Sequence, residues 1–209
     1  MVVPASFLAV AGLVVVHLFS GKLRFLGGTP RSVWLSVGGG VSVAYVFVHL
    51  LPELAESQET IAGAVGEELA FLEYHVYLVS LLGLVFFYGL EQTARGSRGR
   101  KAGRGDSTGQ GIFWLHISSF AVYNAIIGYL LLHRLDSGLE NLLLFSVAMA
   151  LHFVVNDYGL RAHHTGAYAR VGRWVISAAI VLGWVIGLLA EVPEAAIAAL
   201  TAFLAGARS

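Results

Sequence analysis

Apolar stretches separated by short polar or glycine-rich segments set the pattern of this chain. They run near Val2–Phe19, Val33–Leu51, Tyr74–Leu90, Ile112–Leu132, Leu142–Tyr158, Trp174–Leu189 and Ala195–Gly206. A helix needs about 20 apolar residues to cross the roughly 30 Å hydrocarbon core of a bilayer. The first six stretches predict spanning helices, and the seventh is short for one. The pattern therefore predicts an all-α polytopic membrane protein with about seven transmembrane helices. No basic segment precedes the first stretch, which predicts a retained helix rather than a cleaved signal.

Composition strengthens this reading. Of the 209 residues, 57% are hydrophobic and 12% charged, against about 25% charged in a soluble domain, and the mean hydropathy is +0.75. The expected surroundings are a lipid bilayer. A net charge of zero gives no case for nucleic acid. Without cysteine there is neither a disulfide framework nor a thiolate metal site. A homodimer is compatible with the pattern.

The basic residues alternate loop by loop. Lys22, Arg24 and Arg31 follow the first stretch; Arg95, Arg98, Arg100, Lys101 and Arg104 follow the third; Arg161, Arg170 and Arg173 follow the fifth; Arg208 follows the seventh. Of the 13 basic residues, Arg134 alone falls in the opposite set of loops. The positive-inside rule then predicts an outside N-terminus and a cytoplasmic C-terminus, and the small size and economy of loops point to a plasma membrane. The Gly- and Arg-rich segment 91–111 predicts a flexible cytoplasmic loop dividing residues 1–90 from 112–209. The segment Pro52–Glu73 carries Glu53, Glu56, Glu59, Glu67, Glu68 and Glu73 and no base. It reads either as a cation-attracting mouth or as an outer loop that simply lacks Lys and Arg.

Ionisable groups inside spanning helices are costly, so each is a candidate site residue. In HLLPE, His49 and Glu53 stand one turn apart and can share a cation or a hydrogen bond. Pro52 leaves the Val48 carbonyl without its helical donor. The alternative is a proline-kinked helix end at the interface. In LHFVVNDYGL, His152 and Asn156 lie about 40° apart around the helix and Asp157 about 100° further on. Imidazole, amide and carboxylate suit a divalent ion with mixed N/O preference; alternatively Asp157 pairs with Arg161. In the fourth stretch, His116, Ser119, Tyr123 and Asn124 are either ligands or interhelical hydrogen-bonding groups. The antiparallel arrangement predicts His152 level with the middle of the fourth helix and His116 nearer Asp157. His163 and His164 read as a solvated loop pair, and His17, His75 and His133 as interfacial. Gly38, Gly39, Gly40, Gly83, Gly128, Gly183 and Gly187 thread these helices, and Gly183 and Gly187 form a GxxxG, a spacing that allows close helix contact in a compact bundle.

The stretch GGGVSVAYVFVHLLPELAE resembles the second helix of the ZIP family of divalent metal transporters, a glycine-rich helix ending in H-x-L-P-E. The outside N-terminus, the long loop after the third helix, the polar fourth and fifth helices and AALTAFLAG near the C-terminus are similar to that family too. The resemblance implies a ZIP-like bundle and a metal site of H-N-x-x-D-G facing H-E-x-x-H-E. On the fifth helix His152 is retained, while Phe153 stands for the first Glu, Asn156 for the second His and Asp157 for the last Glu. On the fourth, Ser119 stands for the His, Phe120 for the Asn, Tyr123 for the Asp and Asn124 for the glycine. The family pattern also continues into an eighth helix that these residues do not supply.

The resemblance thus implies a divalent cation carrier, zinc or a related ion being its substrate, with no cofactor, no covalent chemistry and a metal site altered by loss of carboxylates. His49, Glu53 and His75 would be outer relay ligands. Two alternatives stand beside it. One is a ZIP-fold sensor or scaffold that no longer transports. The other is a membrane-embedded hydrolase with zinc held by His152, Asp157 and His116.

Overall fold

The computed structural model describes residues 2–22, 33–52, 54–55, 58, 75–100, 107–136 and 138–207. Among them the chain is helical throughout, apart from short connections. Helices α1 (Val2–Phe19), α2 (Val33–Tyr45), α3 (His75–Arg100), α4 (Ser107–Asp136), α5 (Leu139–His163), α6 (Arg173–Leu189) and α7 (Glu194–Ala207) follow one another along the sequence. Four stretches among the described residues are long and apolar enough to cross a membrane: Val3–Lys22, Gln110–Leu132, Leu139–Ala162 and Tyr168–Leu189. The second and third expected spans form shorter apolar stretches, Ser36–Val48 and Val76–Gly89. With 14 residues, α7 reaches about 21 Å, short of the roughly 30 Å required.

The segment expected as a loop is helical at both ends. Helix α3 runs on to Arg100 and α4 begins at Ser107; 101–106 lie outside the described residues. Extending a formed helix costs little compared with nucleating one. An i,i+4 bond from Gln92 Nε2 to the Tyr88 hydroxyl (2.6 Å) carries α3 past its apolar part. Ahead of Pro52 the helix widens into a π turn, Val46–Leu50, where the Leu51 N–H reaches back to the Val46 carbonyl. A proline cannot donate to the carbonyl four residues earlier, and an inserted π turn is one way a helix absorbs that loss.

The chain divides into two compact units, Met1–Ser42 with Lys101–Ala190 and Val43–Arg100 with Glu191–Ser209. All four membrane-length stretches belong to the first. Between apolar helices in lipid there is no hydrophobic drive, so close packing must hold them together. Helices α4 and α6 meet at glycines: Gly128 lies against the Ile180 carbonyl, Gly183 against that of Ala125, and Gly187 against Tyr129 and Leu132. The close contact that the GxxxG spacing allows is present at Gly183 and Gly187, whereas among the described residues nothing lies within 4 Å of a Cβ at Gly39 or Gly40. Helix α1 joins through Trp184, whose Nε1–H donates to Ser6 Oγ (3.1 Å). At the other end of the unit Phe113, Ile117, Leu160, Tyr168 and Ile176 form an apolar core. In the second unit Gly83 of α3 packs on the Phe203 backbone of α7, beneath the rings of Phe86, Phe87 and Phe203.

A Cβ at Gly128 or Gly183 would meet backbone, which cannot turn aside. Gly183→Val and Gly128→Val are expected to destabilise the first unit by at least about 1–3 kcal/mol. Gly12→Ala, with nothing within 4 Å of the added atom, is the neutral control. Thermal unfolding in detergent followed by circular dichroism measures the difference.

Candidate functional site

Asp157, on α5, is completely buried at 0% exposure, and a carboxylate there needs a counter-charge and donors. Both come from α1. His17 Nδ1 donates to the carboxylate, 3.0 and 3.1 Å from its two oxygens. The other ring nitrogen, Nε2, lies 2.8 Å from Asn124 Oδ1 on α4. The Asn124 amide is oriented by its own Nδ2–H, which donates to the Phe120 carbonyl (2.8 Å). Turning the amide over would set two carbonyl oxygens against each other. Both His17 nitrogens therefore face acceptors, and the hydrogen bonds are complete when each carries a proton. The Asn124 amide thus completes a hydrogen-bonded chain, Asp157–His17–Asn124, across three helices.

Phe153, the residue after His152, stacks on the His17 ring with centroids 4.4 Å apart. His152 is buried beside Tyr123, ring centroids 5.9 Å apart, and its Nε2 accepts from Asn156 Nδ2 at 2.9 Å. Thus His152 is level with the middle of α4, as expected. The remaining candidates separate. Ser119 donates to the Leu115 carbonyl of its own helix (2.8 Å). His116 sits 5.5 Å from the ring of His164, toward the end of α5 rather than beside Asp157. Glu53 and the side chains of His49, His75, His133 and His163 lie outside the described residues.

Several expectations need correction. His17, near the end of α1, does not face solvent: it is 2% exposed, because Asp157 and Asn124 supply the hydrogen bonds that water otherwise would. Arg161 does not take Asp157; its guanidinium packs on Gly21, where a Cβ would fall 2.9 Å from Nη1. His164 is no solvated loop residue, since its ring packs on Phe113 and His116. The sequence contained one signal for His17, an ionisable residue in an apolar span, and its nearness to the helix end obscured it.

Beyond the pair, toward the basic end of the unit, lies a partly open cavity of about 220 Å³. His17, Ser20, Gly21, Lys22, Arg161, Tyr168 and Arg173 line it. The turn entering α6 forms its wall. Gly172 has no side chain to block the Tyr168 ring, whose Cδ2 would lie 2.8 Å from a Cβ there. The buried Tyr168 hydroxyl feels the Asp157 carboxylate electrostatically but makes no hydrogen bond of ordinary geometry.

Among the described residues no three His, Asp or Glu side chains converge closely enough to hold a metal ion. The trio His152, Asp157 and His116 is therefore not assembled. No protein-family model matches the chain, and neither does any curated protein or solved structure.

Removing one partner of a buried ion pair leaves the other uncompensated. Asp157→Leu and His17→Leu are each expected to cost about 3–5 kcal/mol, and the double substitution clearly less than their sum. A double-mutant cycle on unfolding in detergent measures the coupling; strict additivity would show that the pair contributes nothing.

Proposed function

We propose that this protein is a ZIP-like membrane carrier for a divalent cation, zinc or a related ion. The observation that carries the reading is the buried chain Asp157–His17–Asn124. An ionised carboxylate inside an apolar bundle is expensive and is kept where an ion or proton must pass. Asp157 supplies the anionic ligand, His17 an imidazole nitrogen and Asn124 an amide oxygen, a mixed set suited to a zinc-like ion. In this mechanism the protonated ring of His17 occupies the cation's place against Asp157 between transport events. An arriving ion displaces that proton and gains the ring nitrogen. His152, little more than one turn earlier on α5, and its hydrogen-bond partner Asn156 form the next step of the path. The proposed orientation places the N-terminus outside and the end bearing Lys22, Arg161 and Arg173 in the cytoplasm. No covalent step is involved.

A second reading is a ZIP-fold sensor or scaffold without transport. It is favoured by the absence of three converging His, Asp or Glu side chains among the described residues. Proteoliposome uptake of zinc, manganese and iron(II) separates the two. The carrier is expected to take up at least one of them and release a proton as the ion binds. Asp157→Asn is expected to lower uptake at least about tenfold. Neither uptake nor binding of any ion by folded protein leaves the second reading, and uptake that persists in Asp157→Asn overturns the assignment of Asp157 as an ion ligand.

A further inference from the structure

We propose that the cavity at the basic end of the first unit binds a phosphate group, contributed by the headgroup of an anionic phospholipid. The inference stands apart from cation transport and rests on groups that the carrier reading does not use.

Three cations converge on this cavity from three different elements: Lys22 from the turn after α1, Arg161 from α5 and Arg173 from the start of α6. Among the described residues no carboxylate lies within 4 Å of their nitrogens, the ion pair there being His17–Asp157. Asp157 lies below, its charge already matched by His17. Like charges held together without a counter-ion repel, so the arrangement is suited to an anion from outside the chain.

The donors are built in rather than loosely placed. Gly21 admits the Arg161 guanidinium against the backbone. Arg173 donates from Nη1 to the Leu18 carbonyl (3.4 Å), capping the end of α1, while its buried Nε–H has no hydrogen-bond partner among the described residues. Tyr168 lines the same space. Two guanidinium groups and an ammonium match the several oxygens of a phosphate better than a carboxylate's two. A volume of about 220 Å³ has room for that group and its ester oxygens.

The surroundings favour a lipid over a soluble phosphate. Lys22 Nζ stands 4.7 Å from the centre of the Phe19 ring, and the Arg173 guanidinium 5.3 Å from that of Trp174. Both rings are exposed, at the ends of helices of membrane length. Aromatic residues beside bases at such a level mark the headgroup region, and basic pockets between membrane helices are suited to anionic headgroups. Acyl chains would then lie along the exposed apolar faces.

The test uses the full chain in nanodiscs of phosphatidylcholine, with and without phosphatidylglycerol. The readouts are the unfolding midpoint and native mass spectrometry of retained lipid; inorganic phosphate in solution is a separate arm. Phosphatidylglycerol is expected to raise the midpoint and to be retained. Lys22→Gln and Arg161→Gln are each expected to weaken this about fivefold. Arg170→Gln, which does not line the cavity, is expected to leave it unchanged. A shift with inorganic phosphate and none with phosphatidylglycerol would overturn the lipid source. No shift with either, or equal shifts in all three variants, would overturn the site. Should Arg161→Gln fail to fold, the exposed Lys22 decides the matter by itself.

Discussion

A carboxylate without solvent is the constraint on which the first unit depends. Asp157 is wholly enclosed, and in lipid no water can reach it to share its charge. Its neutralisation by His17, and the docking of His17 on Asn124, bring α1, α4 and α5 into one register. Sliding any of the three by a turn, about 5.4 Å, would break at least one of these bonds and leave a charge in an apolar medium. The packing around the pair follows from it. Phe153 covers the imidazole face, and the Phe120 carbonyl settles which way the amide points.

Helix α6 takes no direct part in that chain but supports it. Backbone contact at Gly128 and Gly183 brings α6 against α4, so dispersion rather than polar bonding holds the two together. The division of labour is useful: a polar chain across three helices gives register, and a glycine seam gives closeness. Where α6 begins, the π turn Tyr168–Gly172 puts Tyr168 beneath the ion pair and Arg173 at the cavity. Local helix irregularity places functional side chains there, as π turns often do.

The two proposals bear on each other through charge. A cation leaving the Asp157 region toward Lys22, Arg161 and Arg173 would meet three positive groups. A phosphate group among them would offset that potential and make the basic end passable, while the ordered headgroup would brace the junction of α1, α5 and α6. Lipid composition would then modulate the proposed carrier from a cavity that His17 also lines.

Sequence alone determined the helical class, the apolar segments and the loop-by-loop alternation of bases. Each of these rests on local composition, and a helix's face or a segment's hydropathy is written within a few residues. It also singled out His152, Asn156, Asp157, Tyr123 and Asn124 as unusual polar groups within apolar helices. Tertiary structure decided what those groups do. Nothing near His17 in the chain announces Asp157, which lies 140 residues away. Nothing near Asp157 reveals that Arg161 turns to Gly21 instead. The length of the helical extensions beyond Gly89 and before Gly111 was equally hidden, because extending a formed helix needs little local signal. Hydropathy reports what a segment prefers to face; which buried charge meets which counter-charge is settled when distant helices pack.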